Sequence, residues 1–151
     1  MALAGFLGLA MMTSCGGGKI GSESSAGAAS DEATVETAAP DAEQMARGEK
    51  IFNEKCFACH QANGQGIPNV FPSLVGSDFL LNQKVLAVSQ VLNGSEKVSA
   101  SKTVKYPAPM PPQLDNKEDA VAVINYVLNN FGNKGGYVTL EQVKDVVIEP
   151  R

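Results

Sequence analysis

The stretch Cys56-Phe57-Ala58-Cys59-His60 decides how this chain is read. Two thiols three positions apart can each add across one vinyl group on the same edge of a porphyrin, leaving two thioether bonds. The next residue, His60, then lies under the ring, where an imidazole nitrogen can bind the iron. Cys-x-x-Cys has rivals, since it also serves thiol–disulfide exchange and supplies half of many zinc sites. The histidine separates them. It is the only histidine in the chain, and zinc would need two more ligands with Cys15 as the one remaining cysteine. Three unrelated residues in a surface turn would be a poor account of two of the three cysteines. The motif therefore predicts one haem c, covalent through Cys56 and Cys59, with His60 on the metal.

The rest of the composition sets bounds. At 151 residues the chain holds one domain, or one domain and a tail. Of 12 Lys+Arg and 16 Asp+Glu, residues 1–40 hold one base (Lys19) and four acids (Glu23, Asp31, Glu32 and Glu36), which leaves 11 bases and 12 acids to residues 41–151. No basic stripe marks a nucleic-acid partner. Three cysteines, two of them in the haem motif, do not make a disulfide scaffold. The folded part is long enough for one modest core, which a large flat apolar group would enlarge. Covalent haem attachment of this kind implies assembly outside the cytoplasm, so an export signal is expected ahead of it.

Residues 2–14, Ala-Leu-Ala-Gly-Phe-Leu-Gly-Leu-Ala-Met-Met-Thr-Ser, form an apolar run of signal-peptide length, too short to span a bilayer. It ends at Cys15, after the small residues Thr13 and Ser14. The pattern resembles a bacterial lipoprotein signal, in which the cysteine is lipidated and becomes the mature N-terminus. An ordinary secretory signal with an incidental cysteine is the other reading. We expect a signal peptide over 1–14, a lipid-anchored flexible linker over 15–40, and the folded domain over 41–151. From Gly16 to Pro40 the chain is Gly, Ala, Ser, Thr and acid, too poor in large apolar side chains to offset chain entropy. Such a tether of some 25 residues has a typical end-to-end distance of roughly 25–30 Å, enough for a globular head to reach a neighbour.

Asp41 opens the folded part as a helix N-cap. Ala42, Met45, Ala46, Gly48, Ile51 and Phe52 follow at helical spacing up to Cys56. Gly48 inside a helix costs about 1 kcal/mol against alanine, a sign that another backbone comes close there. Gly64, Gly66, Pro68 and Pro72 make the next stretch an ordered loop, with Phe71 and Leu74 as apolar residues for the haem pocket. Ser77-Asp78 caps a helix expected from about 79 to 92, stopped by Asn93-Gly94. Asp115 with Glu118 reads as a capping box before an amphipathic helix carrying Ala120, Val121, Ile124, Val127, Leu128 and Phe131. Thr139 with Gln142 reads as a second box, opening a short last helix through Val143, Val146 and Val147.

A second iron ligand can be sought by elimination. Methionine is soft and neutral and stabilises reduced iron. Met1, Met11 and Met12 lie in the signal and Met45 on the first helix, which leaves Met110. Held between Pro109 and Pro111, it cannot sit inside a helix or a sheet.

Together, Gly48-x-x-x-Phe52-x-x-x-Cys56-x-x-Cys59-His60, Pro72-Ser-Leu-Val-Gly76 and Met110-Pro111-Pro112 resemble the class I cytochromes c over roughly residues 41–147. The resemblance implies an all-α cytochrome c fold: four to five helices around one covalently bound haem, here preceded by a disordered tether. It implies that the carbonyl of Pro72 accepts the second imidazole N–H of His60, and that Met110 is the other axial ligand. Tyr126 matches the family's aromatic that meets the first helix. The tail, Gly132-Asn133 through Gly135-Gly136 to Val138-Thr139, is similar to cytochrome c domains that accompany oxidases, copper nitrite reductases and periplasmic dehydrogenases.

No constellation for acid–base or nucleophilic catalysis stands out, and no glycine loop follows a strand to hold phosphate. The expected function is electron transfer by one c-type haem between membrane or periplasmic redox partners, such as a respiratory complex, terminal oxidase or reductase. The expected location is the periplasmic side of a bacterial membrane, held there by a lipid anchor. Lys97, Lys102 and Lys105 flank the Met110 loop and could face an acidic partner, or serve only solubility. Three alternatives stay open: a haem-bearing subunit of a larger oxidoreductase, a haem enzyme or gas sensor with an open distal site, and a thiol redox protein without haem.

Overall fold

The computed structural model describes residues 39–99 and 105–151. The expected signal peptide, Cys15, the expected linker as far as residue 38, and Lys102 lie outside the described residues. The described part is helical, with one isolated bridge between Ile67 and Phe71 and no longer strand.

Helix α1 (Ala42–Ile51) begins at Asp41, whose carboxylate accepts the Gln44 N–H at 2.7 Å. It runs without interruption into a π-helical turn, Phe52–Cys56, and then into α2 (Phe57–His60). Helices α3 (Asp78–Asn82) and α4 (Lys84–Asn93) follow, then α5 (Lys117–Leu128) and a single 3₁₀ turn, Glu141–Val143.

Gly48 is where α1 and α5 meet. A Cβ there would collide with the Ala122 carbonyl and lie 2.8 Å from the Tyr126 Cβ. Only a residue without a side chain allows this approach, which explains a glycine where helix propensity opposes one. Beside the crossing, Phe52, Tyr126 and Phe131 form a three-ring cluster with centroids 5.1–5.9 Å apart. Phe52 is 1% exposed at its centre.

Four expectations about elements need correction. Helix α5 is not half-exposed: all nine residues 120–128 are buried. The chain after it folds back over the side that would face water, bringing Val138 and Val143 into the same core. Asn125, inside α5, is satisfied there: its side chain accepts from the Val138 N–H and donates to the Val138 carbonyl and the Gln44 side chain. Second, the cap of α5 is Asn116, not Asp115. Asn116 accepts the Asp119 N–H at 2.8 Å and donates to the Asp119 carboxylate, a capping box shifted by one residue. Two adjacent cap-competent residues leave that register undecided in sequence.

Third, the helix expected over 79–92 is two helices. The chain breaks at Gln83 (φ −131°, ψ 52°), and Val85 and Leu86 are left exposed just beyond the break. Fourth, the last helix is only the 3₁₀ turn. The box is made, with the Thr139 N–H donating to the Gln142 side chain and the Gln142 N–H to the Thr139 hydroxyl. Beyond it, Val147 is 68% exposed, so no apolar stripe continues to hold a helix against the core.

Candidate haem site

The π-helical turn sets the geometry of the motif. The Phe57 N–H reaches back five residues to the Phe52 carbonyl, one more than an α-helix spans. Cys56 closes that turn, and Cys59 and His60 lie on α2 within the next four residues. Neither cysteine is in a disulfide. Burial first, then the neighbouring Cys59, pushes the Cys56 thiol up to about 11.

His60 is 9% exposed, and its Nδ1 lies 3.0 Å from the Pro72 carbonyl oxygen. A carbonyl only accepts, so Nδ1 carries the proton and Nε2 keeps its lone pair. Burial holds the imidazole below its ordinary pKa, against the opposing pull of the Pro72 carbonyl. The neutral ring is the form that ligates a metal.

The loop after His60 is closed on itself. Gly66 N–H donates to the His60 carbonyl, and Leu74 N–H to the Gly64 carbonyl. Gly66 has φ +65°, and a Cβ on it would strike the Phe71 and Pro72 carbonyls. Residues 72–76 are then fastened to the end of α5 by Asn133. Its side-chain oxygen accepts the Gly76 N–H at 2.8 Å, and its amide donates to the carbonyls of Leu74 (3.1 Å) and Val127 (2.9 Å). Thus α5 holds the loop that orients His60.

Met110 is half-buried and belongs to a different part of the fold. Its N–H donates to the Ser95 hydroxyl at 2.7 Å, and its carbonyl accepts the Ser95 N–H at 2.9 Å. A cavity of about 170 Å³ lies against it, lined by Asn93, Gly94, Glu96, Pro109, Pro111 and Pro112. The structure therefore groups Cys56, Cys59, His60 and Pro72, while Met110 is hydrogen-bonded to Ser95, just past the end of α4. Cys15 lies outside the described residues. Ser95 and Asn133 were missed by sequence reasoning. Ser95 lies just past the end of α4 and Asn133 in the turns beyond α5, where no apolar periodicity marks a role.

The groups present fit a covalent haem c. They supply two unpaired thiols three positions apart, a neutral imidazole with its second nitrogen already engaged, and half-buried Phe71 and Leu74 in the adjoining loop. Among the described residues no three His, Cys, Asp or Glu side chains group into another metal site.

Residues 45–131 match the family described as Cytochrome c. The fructose dehydrogenase cytochrome subunit of Gluconobacter japonicus is 30% identical over 105 residues, 66% of this chain and 21% of that protein. Cytochrome c-552 of Thermus thermophilus is 32% identical over 94 residues, 59% of this chain and 71% of that protein. Fold, motif and match agree, and the chain belongs to the cytochrome c family. It is a class I c-type cytochrome, a family that carries covalent haem c and serves haem-based electron transfer.

Proposed function

We propose that this protein is a single-haem electron carrier with His60 and Met110 as axial ligands, working between redox proteins on the outer side of a bacterial membrane. The observation that carries the reading is the 3.0 Å contact from His60 Nδ1 to the Pro72 carbonyl. It leaves Nε2 as the donor nitrogen and raises the basicity of the ring. Bound haem supplies a one-electron ferric/ferrous couple. The protein's part is to hold the ring and the thioether rigidly, so that little moves when the charge changes. Met110 supplies a neutral sulfur that favours the reduced metal. Lipidation of Cys15, in a tether of small and acidic residues, would keep the head at the membrane.

Lys97 and Lys105 are exposed beside the Met110 segment and would steer an acidic partner. Electron-transfer rates that stay flat from low to high ionic strength would remove that role. A second reading, a fixed haem-bearing subunit of a larger oxidoreductase, is supported by the fructose dehydrogenase cytochrome subunit, of which the matched stretch is 21%.

Carbon monoxide tests the ligand set. The reduced haem protein is expected to show no spectral change with the gas, and the Met110→Ala protein to bind it. Binding by the unsubstituted protein would mean an open distal site, and the enzyme or sensor reading would replace the carrier.

A further inference from the structure

We propose that Ser95 is the positioning residue for the Met110 thioether and sets how firmly that sulfur is held. The inference rests on the His60/Met110 reading and extends it to a residue outside the ligand set. Met110 has one backbone donor and one backbone acceptor, and Ser95 takes both: the hydroxyl at 2.7 Å and the N–H at 2.9 Å. Methionine has three rotatable side-chain bonds and little intrinsic direction, so its sulfur is placed mainly by where its backbone is fixed. Pro109 and Pro111 stiffen the segment by locking φ on either side. A residue that grips Met110 between them fixes the whole segment.

Two further features serve the same grip. Gly94 has φ +83°, and a Cβ there would lie 2.8 Å from the Met110 carbonyl and 3.0 Å from the Pro112 ring. Glycine at this point lets the chain turn at the end of α4 and bring Ser95 against Met110. Two residues past Pro111, the Gln113 N–H donates to the Val91 carbonyl at 2.9 Å, tying the far side of the segment to the same helix. The end of α4 thus acts as a bracket for the methionine.

The test uses the full chain with its haem, oxidised, and imidazole as a competing ligand. Imidazole displaces the sulfur, and the loss of the sulfur-to-iron absorption band reports it. Ser95→Ala removes the hydroxyl acceptor and keeps the N–H; Ser95→Thr keeps both. Ser95 is half-buried and outside the apolar core, so these variants are expected to fold. Asp119→Ala, which loosens the start of α5, controls for general destabilisation. Ser95→Ala is expected to raise imidazole affinity by roughly threefold to tenfold, the size of one lost hydrogen bond. Ser95→Thr and Asp119→Ala should stay near the unsubstituted protein. Unchanged affinity in Ser95→Ala, or an equal rise in Asp119→Ala, would overturn the bracket while leaving Met110 as ligand. Absence of the sulfur band from the unsubstituted protein would overturn the ligand reading, and the bracket with it.

Discussion

Asp119 shows how one side chain can hold two elements at once. It sits in the first turn of α5, takes the Asn116 side-chain N–H, and pairs with Arg47 of α1 at 2.6 Å. The Asn116 hydrogen bond first, and then Arg47, hold its carboxyl below the ordinary value of 3.8. A depressed carboxylate stabilises the fold fully above its unfolded pKa and loses that contribution as pH falls through the lower folded value. Arg47 is 51% exposed, so the pair is heavily screened and is worth no more than about 1 kcal/mol. Asp119→Ala is expected to unfold more easily than the unsubstituted protein at neutral pH, with the gap closing below about pH 3.8. Denaturant unfolding at a series of pH values checks this; a gap that persists unchanged in acid would show that the carboxylate charge is not the source. The sequence marked this end of the helix as a capping box but could not choose between Asp115 and Asn116. Local hydrogen bonding suits both residues as caps.

Among the elements, the α1–α5 crossing was legible because Gly48 breaks a local rule. A glycine in a helix is unfavourable by itself, so its presence points to a constraint from outside the helix. Gly48→Ala sets the two effects against each other. Helix propensity would favour alanine by about 1 kcal/mol, while driving a Cβ into the Ala122 carbonyl costs about 1–3 kcal/mol. The thermal midpoint is expected to fall, and a midpoint equal to or above the unsubstituted protein would mean that the helices move apart at little cost. The break at Gln83 and the short final turn were not legible. Apolar residues at helical spacing are necessary for a helix, but whether the face they form finds a surface to cover depends on the rest of the chain. The burial of α5 on all sides is the same lesson in reverse, because Val138 and Val143 reach it from beyond its own segment. The candidate site divides likewise. Cys56, Cys59 and His60 are adjacent in sequence and carry their chemistry with them, while Asn133 and Ser95 gain meaning only when the fold sets them beside residues 72–76 and Met110.

For the molecule as a whole, the haem is a structural part as well as the redox group. A domain of this size has a modest core, and a large apolar group tied to the π-helical turn and to α2 would add much of what that core lacks. Chain without haem is therefore expected to lack cooperative structure. A Cys56→Ala, Cys59→Ala protein should melt gradually by circular dichroism, and a sharp transition would contradict the structural role. The proposed ligand set, His60 and Met110 on one covalent haem, would close the iron to other ligands. The most direct measurement is the visible spectrum of the haem-loaded protein, oxidised and reduced, beside Met110→Ala. The oxidised protein is expected to show the weak long-wavelength band of sulfur ligation, absent from the variant. A haem protein without that band, or a variant that keeps it, would contradict the claim.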